Sequence, residues 1–107
     1  MKNILIPTNK GTKSVAEENI IRIEACSNYC KIFFSNDKPL VVAKVLHWFQ
    51  KALTQDNFCR IHRAHLVNKM YVIEIVEGSM LKLSNGDLLQ ISRRRKNYTD
   101  QLLKQSA

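Results

Sequence analysis

The chain has 107 residues, 45% of them hydrophobic, and Lys and Arg outnumber Asp and Glu by 17 to 9, for a formal net charge of +8. That length supports about one modest core, so a single domain over residues 1–107 is expected. No apolar run is long enough to cross a bilayer, MKNILIPTNK lacks the features of a signal peptide, and the irregular spacing of Cys26, Cys30 and Cys59 excludes a disulfide framework; a cytoplasmic protein with reduced thiols is expected.

In chain order, NILI (3–6), NIIRIE (19–24), NYCKIFF (28–34) and PLVVA (39–43) are short, rich in Ile, Val, Phe and Tyr, and separated by turn formers such as SNDKP. They read as strands. KVLHWFQKAL follows, with Val45, Leu46, Trp48, Phe49 and Leu53 recurring at a period of about 3.6 residues, which predicts a short amphipathic helix near 44–54. Trp48 belongs to its core side, and Lys44 and Lys51 to a solvated one. The stretch FCRIHRAHLVNK (58–69) has strand-like apolar flanks around two arginines, two histidines and a lysine. YVIEIVE (71–77), SMLKLS (79–84) and DLLQIS (87–92) resume the strands, the last two joined by Asn85-Gly86, a two-residue hairpin signal. After the cationic run 93–96, Tyr98, Leu102 and Leu103 share one face of a predicted C-terminal helix. The fold class is mainly antiparallel β with a minor helical component.

The chemistry available narrows the function. The acids are scattered, Gly11, Gly78 and Gly86 stand alone, and nothing pairs a nucleophile with a base, so neither catalysis nor a cofactor is expected. Cys59, His62 and His65 stand three apart, and Cys26 and Cys30 four apart, which loosely follows zinc-ligand spacing. Both sets sit in apolar, strand-like text without a glycine knuckle, and the reading preferred is core cysteines and polar strand-end histidines, with no metal. A lesser reading makes Cys59, beside Arg60, an oxidant-sensing thiol of lowered pKa.

Binding of a polyanion accounts for more. No acid occurs from Asn57 to Ile73 or from Leu88 to Thr99, and Arg60, Arg63 and Lys69 with the run Arg93 to Lys96 supply seven cations. Three adjacent arginines without a local acid repel one another unless a partner supplies the counter-charge, and the arginine fork suits phosphate oxygens and the acceptor edge of guanine. Nucleic acid is therefore favoured over anionic lipid or an acidic protein.

FCRIHRAHLVNKMYV followed by LKLSNGDLLQISRRRK resembles the LytTR-type DNA-binding domain of bacterial response regulators: an aromatic-x-R-x-H-R motif, then L-V-N, a strand pair with a dipeptide turn, and an S-R-R segment. IEACSNYCKIFF (23–34) is similar to the family's earlier strand pair, and the likeness runs over residues 19–100. The resemblance implies stacked antiparallel sheets that read duplex DNA with inter-strand loops, as a transcription regulator. It places Arg63 and Arg93 on base edges of the major groove, and Asn28, Tyr29, Cys30 and Lys31 on a third approach, where Cys30 packs or lies near phosphate. Six residues are expected to hold phosphates: Lys31, Arg60, Lys69, Arg94, Arg95 and Lys96. Ala64 and His65 stand where Ser and Tyr are frequent in the family, so His65 is expected to replace a hydroxyl contact. His62 and Asn68 are expected to bond locally and hold their turns. The partners implied are double-stranded DNA and no membrane, with a homodimer on repeated sites and an upstream receiver domain if the chain is part of a longer regulator. The alternatives are a general RNA or single-strand binder, with Tyr29 as stacking platform, and a zinc-stabilised interaction domain.

Overall fold

The computed structural model describes residues 2–97, 99 and 100. Alternation sets the first pair of strands: β1 (Asn3–Thr8) buries Ile4 and Ile6 and turns Asn3 and Leu5 outward. It pairs with β2 (Gly11–Ala16), in register from Asn3↔Ala16 to Thr8↔Gly11. The sequence reading had no strand over β2, where Val15 is the one buried side chain, so no apolar period marks it.

The largest sheet has five antiparallel strands in the order β5-β4-β3-β7-β6. These are β3 (Ile20–Cys26), β4 (Tyr29–Phe34), β5 (Leu40–Val42), β6 (Phe58–His62) and β7 (His65–Asn68). The stretch 58–69 is thus a hairpin that turns at Arg63-Ala64, with His62 opposite His65. Helix α1 (Leu46–Ala52) is shorter than predicted. Val45 offers no side-chain cap, and Val45 and Leu53 are both extended, so the helical geometry stops there. The third sheet has the order β10-β9-β8, from β8 (Val72–Val76), β9 (Met80–Leu83) and β10 (Leu88–Gln90). Its last hairpin is as expected but its turn is not a two-residue one: Lys82 pairs with Leu88, and the Leu83 carbonyl accepts from the Gly86 N–H while the Leu83 N–H donates to the Asp87 carbonyl. The φ of +94° at Gly86 closes a three-residue loop, with glycine in the left-handed position that ends such a loop.

The central sheet is apolar on both faces. Ile20, Ile23, Ile32, Phe58 and Leu66 meet Leu46 and Phe49 of α1 and Ile4 and Ile6 of β1. Ile21, Cys59, Ile61 and Val67 meet Leu81, Leu83, Leu89 and Ile91 of the three-stranded sheet. Each fully buried aliphatic side chain contributes about 1.5–3 kcal/mol, so this second cluster is what gives a marginal three-stranded sheet its place. One polar link crosses the layers: Arg22, in β3, donates through Nε to Asp87 Oδ2 at 2.8 Å and through Nη1 to Glu24 Oε1 at 2.9 Å. The expected C-terminal helix begins within the described residues, where 96, 97, 99 and 100 are helical; Tyr98, Leu102 and Leu103 lie outside them.

Candidate nucleic-acid interface

Three segments meet at one end of the five-stranded sheet. The Ala25 N–H donates to the Ala64 carbonyl at 2.8 Å, which sets the β3–β4 turn beside the β6–β7 turn. The Ser92 N–H donates to the Ile61 carbonyl at 2.9 Å, which brings the start of the arginine run against β6, two residues before Arg63. Arg93–Arg95 then form a 3-10 turn. Arg63 and Arg93, the two residues expected on base edges, are both exposed, and the Ser92–Ile61 bond joins the chain one residue before Arg93 to the chain two residues before Arg63. Among the described residues no carboxylate forms an ion pair with Arg63, Arg93, Arg94 or Lys96.

The β6–β7 turn is built from its own side chains. The Ala64 N–H donates to His62 Nδ1 at 3.1 Å, the local bond expected of that histidine. Arg60 turns toward α1 and the loop: Nη1 donates to Gln50 Oε1 at 3.1 Å, Nη2 to the Arg63 carbonyl at 2.6 Å, and Nε to the His62 carbonyl at 3.4 Å. Burial, and then the nearby Arg95 charge, lower the Arg60 guanidinium below its usual range. The expected phosphate holder is thus half-buried and spends three donors on its own fold.

On the adjacent turn, Ser27 holds a φ of +57°, a left-handed conformation that costs an L-residue about 1–2 kcal/mol. Asn28 is exposed, and Tyr29 is 52% exposed. Cys30 is fully buried in the core, and burial, followed by the neighbouring Cys26, pushes its thiol up to about 11; it packs. Lys31 is half-buried with Nζ 5.2 Å from the Phe33 ring centre. Lys96 is exposed, with Nζ over Gly78 in the β8–β9 turn, and Arg95 is half-buried.

Two expected members stand apart. Lys69 opens a 3-10 turn, Lys69–Tyr71, at the far end of β7, and its N–H bonds the Asn57 carbonyl. The five residue steps from Ala64 to Lys69 amount to about 16 Å of strand. His65, with 17% of its side chain exposed, faces the Glu24 carboxylate at 3.8 Å, and its buried Nδ1 makes no hydrogen bond. Burial lowers its pKa despite Glu24, so the ring is neutral at neutral pH, beside a carboxylate that repels phosphate. Asn68 holds its turn as expected, accepting from the Met70 N–H through Oδ1 and donating through Nδ2 to the Ile20 carbonyl.

Cys59 is fully buried, and burial raises its thiol pKa, which overturns the oxidant-sensing reading. Among the described residues, no three His, Cys, Asp or Glu side chains converge to hold a metal. No local pattern announces Gln50, which anchors Arg60 from another element ten residues away, or the Arg22–Asp87 link, whose partners stand 65 residues apart.

A mainly antiparallel β module that brings two turns and an arginine run to one exposed, cationic edge has the surface of a nucleic-acid-binding domain. The family model of the LytTr DNA-binding domain matches residues 10–104, and the chain belongs to that family. Its fold is similar to the LytTr DNA-binding domain of a protein described as a methyl-accepting/DNA response regulator from Bacillus cereus, at 21% identity and a TM-score of 0.80, covering 96% of this chain and 97% of that one. No curated protein matches the chain.

Proposed function

We propose that this domain binds duplex DNA sequence-specifically as a bacterial transcription regulator, laying its turn-bearing edge along the major groove. The observation that carries this is the convergence of the β3–β4 turn, the β6–β7 turn and the Arg93–Arg95 turn, pinned by the Ala25–Ala64 and Ser92–Ile61 backbone bonds. Arg63 and Arg93 read base edges, since a guanidinium fork matches the two acceptors of guanine. Lys31, Arg94, Arg95 and Lys96 hold phosphates and fix the register. Asn28 and Tyr29 form a third approach. Arg60 acts one step back, as the clamp that shapes the loop carrying Arg63.

Control comes from a receiver domain where the chain is part of a longer regulator, and paired copies occupy repeated sites. No described helix is long and apolar enough to cross a membrane.

Selecting bound duplexes from a random pool tests the reading, with the enriched site then used for variants. Arg63→Ala is expected to relax preference at one base position at a cost of about 1–3 kcal/mol, whereas Lys96→Ala weakens all sequences alike. A pool that enriches no motif overturns sequence-specific reading. Exposed Tyr29 supports a second reading, stacking on a single strand; competition of single-stranded against duplex DNA separates the two.

A further inference from the structure

At the opposite end of the β6–β7 hairpin a groove of about 810 Å³ opens between the Lys69–Tyr71 turn and β8. Phe58 and Ile75 contribute to its apolar lining, and Met70 and Ile73 stand at 61% and 56% exposure. Isolated exposed hydrophobics need no explanation, but two that share a groove with a strand edge do. β8 is an outer strand of its sheet, pairing with β9 on one side only, so its other edge carries backbone donors and acceptors that no described strand satisfies.

The charge of the groove runs against that of the chain. In a protein of +8, four of the nine acids line it, Glu17, Glu18, Asp56 and Glu74, against two lysines, Lys2 and Lys69. Glu17 is fixed by the Thr54 N–H at 2.9 Å and its hydroxyl at 3.0 Å; Asp56 and Glu74 are exposed. With Glu17 buried and spent on Thr54, the exposed acids Glu18, Asp56 and Glu74 outnumber the two lysines, a balance that favours a basic partner over nucleic acid.

We infer that this groove docks an extended segment of a partner protein, rich in basic and β-branched residues, which adds to the free edge of β8. Strand addition supplies main-chain hydrogen bonds, alternate side chains enter the apolar lining, and the outward ones meet Asp56 and Glu74. The inference goes beyond DNA reading and rests on it in one respect only. The groove lies about 16 Å of strand from the β6–β7 turn, so the domain holds DNA at one end and its partner at the other.

The test titrates the full chain, labelled with nitrogen-15, with a seven-residue peptide alternating Lys and Val, without DNA. Saturable binding is expected, with amide shifts confined to residues 56–58 and 68–75. The double variant Met70→Ser, Ile73→Ser should weaken it at least tenfold, while its affinity for duplex DNA, measured separately, stays within twofold. Glu74→Lys should narrow the preference over an alternating Glu and Val peptide. Absence of saturation, equal binding of the acidic peptide, or shifts centred on residues 93–96 would overturn the inference. So would a concentration-dependent dimer abolished by the double variant, which makes a second copy the occupant. Because duplex affinity is read independently, loss of the peptide site and failure of DNA reading are told apart.

Discussion

Single residues explain why this edge is cationic without being self-destructive, and two of them make firm predictions. His65 sits beside Glu24, yet burial holds its pKa below the ordinary 6.5. As pH falls, the unfolded chain therefore takes up this proton before the folded one does. The contribution to stability is complete above about pH 6.5 and is lost as pH drops through the folded value. Urea midpoints measured from pH 7.5 down to 5 should decline, and His65→Gln should flatten that part of the curve; an unchanged slope in the variant would refute the assignment. Asp87 behaves differently. Burial alone would raise it, but hydrogen bonds from Arg22 and Asn85 and the Arg22 charge hold it below the usual carboxylate range, so its share of stability is lost only at strongly acid pH. Asp87→Ala leaves an Arg22 side chain that is 9% exposed with Glu24 alone, at an expected cost of about 1–3 kcal/mol by denaturant melting at neutral pH. Arg22 was invisible to sequence reasoning. Inside NIIRIE it reads as the outward residue of an alternating strand, and its partner lies 65 positions away.

At the scale of elements, what was legible follows from how local each signal is. Strands rich in Ile, Val, Phe and Tyr and the helix of 3.6-residue period declared themselves, as did the break between β3 and β4. β2 did not, because pairing with β1 alone makes it a strand. The hairpin within 58–69 was read as a single stretch, since its turn residues, Arg63 and Ala64, carry no glycine or proline; the His62 side chain supplies the turn instead. The same locality misled the reading of Arg60, whose charge is plain in the text and whose destination is not. If Arg60 is the clamp, Arg60→Met weakens duplex binding by loosening the turn and lowers stability by about 1–3 kcal/mol, but the salt dependence of binding keeps its slope. If Arg60 reaches phosphate, the log–log slope instead falls by about 0.9 in magnitude, as it should for Lys96→Ala.

For the whole molecule, what matters is how seventeen cations are shared between the edge proposed to meet DNA and a body that must stay folded. A count from sequence makes six of them phosphate holders, which predicts a slope of log affinity against log salt of roughly −5 on duplex DNA. The fold removes two from that edge: Arg60 is bonded inward and Lys69 lies beyond the far end of β7, beside the acid-lined groove. Four remain, Lys31, Arg94, Arg95 and Lys96, and the slope expected of a single bound copy becomes roughly −3.5. The longest dimension of the molecule is 41 Å, and duplex DNA rises about 34 Å per turn, so one copy spans about one turn. Titrations over a range of potassium chloride, combined with footprinting on the selected site, therefore test geometry and stoichiometry together. A slope near −3.5 with about one turn protected fits one domain holding four phosphates. A slope near −7 with two protected turns fits two copies on a repeated site, each with the same four contacts. A slope near −5 confined to a single turn would mean that Arg60 leaves its internal partners and that Lys69 also reaches phosphate, and the proposed division between DNA edge and docking groove would then fail.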